Sequence, residues 1–201
     1  NVPNKVQMGR GEGAGNDPNV GRELAIESEE QLRSLLTTSD TRMLFIAAGM
    51  GGGTGTGASP VIAKLAHDLD ILTVAVVTMP LRMEGPSRYD QALKGLEELK
   101  QWVDAMLIID NEKIMQMYGK LQLKEAFGKA DEVLGMATKG IAELITVEEA
   151  LVRVDFADVR RVMKNSGRTL MSVVTASGED RSAQVAEKAL ASALLDGNYI
   201  A

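Results

Sequence analysis

Apolar runs alternate with amphipathic stretches along most of the chain. Residues 43–48, 71–78 and 105–109 are apolar almost throughout, and stretches with helical periodicity separate them. Short, continuous apolar runs are typical of strands buried on both faces. Strands that alternate with helices predict a parallel sheet covered by helices. We therefore expect an α/β fold whose ligand lies beyond the carboxyl ends of the strands.

The spacing of apolar residues predicts the helices. Apolar positions recur every three to four residues in each of these stretches. The predicted helices span residues 21–36, 59–69, 88–103, 123–145, 155–164 and 179–195, and a fourth strand is predicted over 169–175. The first 20 residues are predicted to form a loop, because glycines and Pro18 punctuate them. The length of the 123–145 helix favours a spine that joins two lobes.

A glycine-rich segment, residues 49–57, joins the first predicted strand to the next helix. Five of the seven residues from 51 to 57 are glycine. Glycine permits positive φ and close approach of the backbone to a ligand. Successive N–H groups at a helix start attract anions, and Thr54 and Thr56 add hydroxyl donors. This chemistry predicts a di- or triphosphate ligand.

Two other phosphate-binding folds are alternatives for this segment. A P-loop requires a lysine, and the segment contains none. Gly53, Gly55 and Ala58 match the relaxed glycine fingerprint of a dinucleotide-binding fold, so the motif alone leaves that fold open. That fold also requires an acidic residue at the end of the next strand. The strand here ends in Thr78 and Met79, which disfavours a dinucleotide-dependent oxidoreductase.

Composition narrows the function further. The chain has no cysteine and one histidine, His67, so it offers neither thiolate chemistry nor a histidine-rich metal site. Its net charge of -6 argues against nucleic-acid binding, which needs a basic face. No apolar run approaches the roughly 20 residues that span a bilayer, and no signal segment begins the sequence. We expect no direct membrane insertion and a cytoplasmic location.

Residues 51–57 resemble the signature loop of the tubulin/FtsZ family of GTPases. The flanking residues 45–50 and 58–63 are similar to FtsZ rather than to tubulin. The similarity continues through residues 71–78, 84–85, 111–113, 126–127, 140–146, 154–159 and 176–181. The resemblance implies a GTP-binding lobe over residues 1–121, a central helix over 122–146 and the beginning of a C-terminal α+β activation lobe over 147–201.

The resemblance implies a role for each matching residue. Ala14 and Gly15 would sense the terminal phosphate, and Glu84 and Arg88 would contact the ribose and phosphates. Asn111 would reach the sugar or base. The residues expected to hold the phosphates of GTP or GDP are Gly51, Gly52, Gly53, Thr54, Gly55 and Thr56. Mg²⁺ is expected to accompany the nucleotide.

Two residues of the long helix are implied to recognise guanine. Phe127 would stack on the base, although core packing is the alternative for this side chain. Asp131 would accept hydrogen bonds from the amino and imino groups of the base. Adenine lacks those two donors, so a carboxylate at this position favours guanine.

Asp155 and Asp158 are implied to be catalytic. They lie three residues apart at a predicted helix start and so share a face, although Asp155 is equally suited to cap that helix. In the family this segment enters the nucleotide site of the next subunit, where the acids position water and cation. Hydrolysis is then coupled to head-to-tail filament assembly, which generates open filaments.

Departures from the family pattern accompany these matches. FtsZ proteins begin with a strand and a glycine-rich loop that grips the diphosphate, a segment that this sequence does not contain. Arg153 stands where most members have asparagine, which leaves a non-hydrolysing structural or regulatory relative as an alternative. The resemblance implies GTP-dependent polymerisation at the division site. Other division proteins are expected to bind a C-terminal tail that lies beyond this sequence.

Overall fold

A computed structural model describes residues 4–117, 123–146, 154–169 and 176–190. Within those ranges four strands and eight α-helices follow one another along the chain. In chain order they are α1 (Pro18–Glu27), α2 (Glu29–Thr38), β1 (Met43–Gly49), α3 (Gly53–Asp68), β2 (Leu72–Met79), α4 (Pro86–Leu99), β3 (Ala105–Asp110), α5 (Asn111–Met117), α6 (Leu123–Thr146), α7 (Phe156–Met163), β4 (Gly167–Arg168) and α8 (Arg181–Leu190). A single 3₁₀ turn, Arg82–Glu84, lies between β2 and α4.

The four strands form one parallel sheet in the order β1-β2-β3-β4. Met43 of β1 aligns with Leu72 of β2, and Gly49 aligns with Thr78 at the other end. Met79 in turn aligns with Asp110 of β3. The ends of β1, β2 and β3 therefore meet at one edge of the sheet and their starts at the other, whereas the two residues of β4 pair only with the start of β3. The expected parallel α/β fold is confirmed.

Strand β2 divides the hydrophobic core between the two faces of the sheet. Ala75, Val77 and Met79 pack with residues of α3 and α4 on one face. Val74 and Val76 pack with residues of α5 and α6 on the other. Adjacent residues of a strand point to opposite faces, so a continuous apolar run buries both. This arrangement explains why the strands were recognisable in the sequence.

Helices α1 and α3 pack with their backbones in close approach. A Cβ atom on Gly57 would lie 1.9 Å from the carbonyl oxygen of Pro18 and 2.8 Å from the backbone nitrogen of Arg22. One on Gly21 would lie 2.3 Å from the carbonyl oxygen of Gly53. Glycine is therefore required on both sides of this contact, which fixes the start of α3 against α1.

We expect Gly57→Ala to destabilise the fold by about 1–3 kcal/mol, because neither helix backbone can yield to the added methyl group. Gly135→Ala is the matched control, since a Cβ at that exposed position on α6 meets no atom within 4 Å. The control should gain about 0.5–1 kcal/mol from helix propensity. Urea unfolding of both variants measures the difference. A free energy of unfolding in Gly57→Ala equal to or above that of the parent protein would contradict the close packing.

Several element boundaries differ from the predictions. Two helices stand in place of the predicted 21–36 helix. The first begins at Pro18, and Ser28, whose hydroxyl donates to the carbonyl oxygen of Leu24, separates it from the second. Helix α3 begins at Gly53, six residues earlier than predicted. Helix α5 was not predicted. Residues 170–175 of the predicted fourth strand, and the predicted helix beyond residue 190, lie outside the described residues.

Trp102 packs where the chain leaves α4. Its ring meets His67 edge-on at 5.7 Å between centroids, and the Lys64 ammonium lies 5.6 Å from its centre. Both partners belong to the second half of α3, so Trp102 joins the far ends of two helices.

No helix in the described ranges is long and apolar enough to cross a membrane. The division into three domains stays a prediction.

Candidate nucleotide site

A cavity of about 220 Å³ lies at the edge where β1, β2 and β3 end. The glycine segment forms one wall, the β2–α4 connection forms another, and α6 closes the third side. Its lining residues are Gly49, Met50, Gly52, Thr78, Pro80, Glu84, Arg88, Asn111, Phe127, Ala130 and Asp131. The expected ligand position beyond the carboxyl ends of the strands thus coincides with a real cavity.

The start of α3 presents backbone N–H groups at this edge. The N–H groups of a helix's first turn have no carbonyl partner within the helix. Side-chain oxygens commonly satisfy them, but the cap residue of α3 is Gly52, which has no side chain to do so. The N–H groups of Gly53, Thr54 and Gly55 are therefore available to an anion. A helix start of this kind is suited to phosphate.

The turn before α3 is held by an internal hydrogen bond. Gly51 has a φ of 93°, and its N–H donates to the hydroxyl of Thr56 at 2.8 Å. Thr56 is buried, with 3% of its surface exposed. A Cβ on Gly51 would lie 2.8 Å from the carbonyl oxygen of Arg88. The Thr56 side chain thus shapes the loop from inside rather than lining the cavity.

The loop of residues 13–17 supports the helix start from behind. Ala14 is buried, and a Cβ on Gly53 would lie 2.8 Å from the Ala14 methyl group and 2.8 Å from the backbone nitrogen of Asp17. The Asp17 carboxylate caps α1. Ala14 and Gly15 are not among the residues that line the cavity. They lie next to the phosphate loop, and their predicted contact with a terminal phosphate stays a prediction.

Glu84 and Arg88 form an ion pair in the cavity wall. Arg88 donates to one carboxylate oxygen of Glu84 at 3.0 Å, and the N–H of Leu81 donates to the other at 2.8 Å. The carboxylate thereby holds the 3₁₀ turn in place and orients the guanidinium. A cation beside the N–H groups of α3 adds attraction for a phosphate.

Asn111 lies at the end of β3 with an unsatisfied polar atom. The residue is 8% exposed, and its side-chain oxygen is buried with no hydrogen-bond partner among the described residues. A buried acceptor without a partner is costly, so a ligand that donates a hydrogen bond here would be favoured. A ribose hydroxyl or a base N–H fits that requirement.

Phe127 and Asp131 lie four residues apart on α6, and so on one face of the helix. Phe127 remains 38% exposed, and the side chain lines the cavity instead of joining the core. The exposed Asp131 lines the same wall. This placement argues against the core-packing alternative for Phe127 and presents a ring and a carboxylate side by side.

Asp155 and Asp158 lie elsewhere, at the start of α7. Asp155 accepts from the backbone N–H groups of Ala157 and Asp158, and Asp158 accepts from the N–H of Asp155, so the pair forms a capping box. Each carboxylate keeps one oxygen that accepts no hydrogen bond from the described part of the chain. The capping role is therefore real and leaves both acids exposed.

The acidic pair and the cavity lie at opposite edges of the sheet. The Arg42 guanidinium, just before β1, lies 4.2 Å from the centre of the Phe156 ring, which follows Asp155. The seven residues of β1 separate Arg42 from the cavity, a rise of about 20 Å. The two predicted halves of the site are thus brought to opposite ends of the molecule. Arg153, on which the non-hydrolysing alternative rests, lies outside the described residues.

Sequence analysis missed five lining residues: Gly49, Met50, Thr78, Pro80 and Ala130. The first four follow or end strands, and that position was the available indication. Among the described residues no three histidine or acidic side chains cluster in a way that could hold a metal ion. Mg²⁺ commonly takes phosphate oxygens and waters as ligands, so it could enter with the nucleotide.

Comparisons with known proteins agree with this geometry. The family described as "Tubulin/FtsZ family, GTPase domain" matches residues 3–119. The cell division protein FtsZ of Aquifex aeolicus is 47% identical over 99% of this chain and 55% of its own length. That of Porphyromonas gingivalis is 46% identical over 99% of this chain and 44% of its own. The chain therefore spans about half the length of these relatives.

Two solved structures extend the likeness to the fold. An FtsZ dimer of M. jannaschii, described as empty, superposes with a TM-score of 0.85 at 46% identity, over 93% of this chain and 54% of its own. CetZ2 of Haloferax volcanii, described as a GTPγS-bound protofilament, superposes with a TM-score of 0.64 at 25% identity. That match covers 79% of this chain and 46% of CetZ2.

Proposed function

This chain belongs to the tubulin/FtsZ family, and from that premise we propose that it binds and hydrolyses GTP and assembles into filaments of cell division. One observation carries the proposal: the cavity lies between Gly52, the cap residue of a helix start whose first N–H groups have no side-chain partner, and a wall that bears Phe127 and Asp131. The first suits phosphates and the second suits guanine. Relatives named as cell division proteins support the cellular role.

Each wall of the cavity binds a different part of the nucleotide. The N–H groups of Gly53, Thr54 and Gly55 hold phosphate oxygens, and the Arg88 guanidinium neutralises part of their charge. Glu84 and Asn111 meet the ribose. Phe127 stacks on the base, and Asp131 accepts from its amino and imino groups. Mg²⁺ is carried by the phosphates and supplies additional charge neutralisation.

Hydrolysis is completed by a second subunit. The rise of β1, about 20 Å, separates the subunit's own cavity from Arg42, which contacts α7 beside Asp155. Stacked head to tail, one subunit brings its acids to the open cavity of the next, where they orient the attacking water. The dimer and the protofilament among the solved relatives support such contacts. The division site is the proposed location in the cell.

We expect Asp131→Ala to remove the preference for guanine. Loss of a charged acceptor would cost about 1.5–3 kcal/mol, or roughly 10- to 150-fold in the Kd for GTP. ITP lacks the amino group of GTP but keeps the imino N–H, so the parent should bind GTP, ITP and ATP in decreasing order. The variant should bind the three alike, as measured by calorimetric titration.

Glu143→Ala is the control for this experiment. Glu143 is an exposed acid on the same helix that pairs with Lys139 outside the cavity. Its removal changes the net charge equally and should leave the order of affinities intact. Equal affinity of the parent for GTP and ATP would contradict the proposed function.

A further inference from the structure

Helix α7 carries the acidic pair at its first turn, so its placement decides where those carboxylates point. Two contacts join it to the edge where the strands begin. One is made by Arg42, directly before β1, and the other by Asp70, in the turn before β2. Both contacts span more than 85 residues of sequence, and the resemblance assigns no role to either residue.

Arg42 holds the first residue of α7. Its guanidinium lies over the Phe156 ring, 4.2 Å from the ring centre. A cation over the face of an aromatic ring is attracted by the ring quadrupole. The backbone of Arg42 is itself fixed, because its carbonyl oxygen accepts from the N–H of Leu72 at 3.1 Å. The contact therefore ties the residue next to Asp155 directly to the sheet.

Asp70 holds the next two turns of α7. Its carboxylate oxygen lies 2.6 Å from the Arg160 guanidinium and 2.9 Å from the Lys164 ammonium. Arg160 also donates to the carbonyl oxygen of Asp70 at 3.1 Å. The hydrogen bond with Lys164, and then the positive charge of Arg160, lower the pKa of the Asp70 carboxyl. Asp70 is therefore ionised at neutral pH.

The helix geometry separates the anchored face from the acidic face. Phe156 and Arg160 of α7, and Lys164 directly after its last residue, follow one another at intervals of four and form one stripe. Successive residues of a helix are rotated by about 100°. Asp155 and Asp158 consequently lie about 140–160° from the centre of that stripe. Anchoring the stripe turns both carboxylates away from their own subunit.

We propose that Arg42 and Asp70 are positioning residues, which dock the Phe156–Arg160–Lys164 stripe so that Asp155 and Asp158 face the nucleotide of the adjoining subunit. The inference rests on the proposed function, since it concerns hydrolysis between subunits. The docked helix presents the acids already oriented. Without the dock, α7 still forms but its acids reach the neighbouring cavity in the productive orientation less often.

Asp70→Asn is the test variant, and Asp40→Asn is its matched control. Both aspartates are exposed, lie in turns ahead of adjacent strands and have positive φ, 53° for Asp70 and 46° for Asp40. Asparagine tolerates that conformation, so each change removes a charge and keeps the backbone. Asp40 makes no ion pair within the described ranges, whereas Asp70 makes two.

The first measurement is amide hydrogen exchange in α7 of the nucleotide-free protein. Asp70→Asn should speed exchange there at least fivefold, and Asp40→Asn should not change it. The second measurement is GTP turnover in assembled protein, where Asp70→Asn should lower kcat five- to twentyfold with an unchanged Kd for GTP. Arg42→Gln should behave likewise, and Arg42→Lys, which keeps a cation over the ring, should restore most of the turnover.

Each outcome has a defined meaning. Unchanged exchange in Asp70→Asn, or an equal increase in Asp40→Asn, would show that Asp70 does not hold α7 in place. Faster exchange with unchanged kcat overturns the positioning role, because the helix would then be loose without consequence for the reaction. A parent protein that assembles but turns over no GTP overturns the proposed function and the positioning role together, whereas the exchange result still decides whether the dock exists.

Discussion

Gly53→Val is expected to abolish nucleotide binding at concentrations that saturate the parent protein. A Cβ at this position would lie 2.8 Å from the Ala14 methyl group, 2.8 Å from the Asp17 nitrogen and 2.9 Å from the Ala14 carbonyl oxygen. Valine adds two further methyl groups to that clash. The first turn of α3 must then move away from its support, and its N–H groups lose their common direction. Calorimetric titration with GDP measures the loss.

Two other variants separate a lost site from a lost fold. Gly135→Val reports the general cost of valine for glycine in a helix, because a Cβ there meets open space, and it should bind GDP normally. Gly52→Ala also adds a methyl group in open space, but at a residue that lines the cavity. It should keep the parent's thermal stability and weaken GDP binding at least tenfold. Unchanged affinity in Gly52→Ala and Gly53→Val would exclude this segment as the phosphate site.

Asp158→Ala is expected to lose GTP turnover by about 10²–10⁴-fold, the usual contribution of a group that handles a proton or water. The variant should keep its affinity for GTP, because Asp158 belongs to α7 and the cavity lies at the opposite edge of the sheet. Asp158→Asn keeps a side-chain acceptor for the capping box and separates loss of charge from loss of the helix cap. Glu187→Gln, on the exposed surface of α8, serves as the charge control.

A mixture of Asp158→Ala and Gly53→Val chains tests whether the two sites act between subunits. A junction that joins an intact loop to an intact acidic pair forms only when both chains are present, so the mixture should be more active than either chain alone. Light scattering should monitor assembly, since loop variants that assemble poorly will restore little activity. In the parent, turnover per subunit should rise with protein concentration. Turnover that stays constant on dilution would contradict catalysis between subunits.

The sheet was predictable because its strands are buried on both faces. A strand covered by α3 and α4 on one side and by α6 on the other has no face open to solvent, so residues 71–78 are apolar apart from Thr73 and Thr78. The start of α3 was predicted wrongly because glycine has a low helix propensity. Close contacts with the 13–17 loop, with Gly49 and with Pro18 override that propensity, and such contacts are not visible in the local sequence.

The candidate site was predictable in part, because the predicted sheet also indicates where its strands end. Residues in the glycine segment and at strand ends could be placed by topology, whereas Phe127 and Asp131 were assigned only by the resemblance. Both line the α6 wall of the cavity. The burial of Thr56 and its bond to Gly51 were not predictable, because a threonine hydroxyl suits a ligand and a backbone N–H equally well. The docking of α7 on Arg42 and Asp70 depends on contacts between distant residues, for which spacing gives no indication.

The position of Trp102 provides an intrinsic fluorescence probe of helix movement. It is the single tryptophan of the chain, so excitation at the red edge of protein absorbance selects it alone. Its ring rests on Lys64 and His67, near the end of α3 that lies farthest from the glycine segment. Emission from this indole therefore reports any shift of α3 against α4 that follows phosphate binding. The indole itself does not stack on the base, and no dye has to be attached.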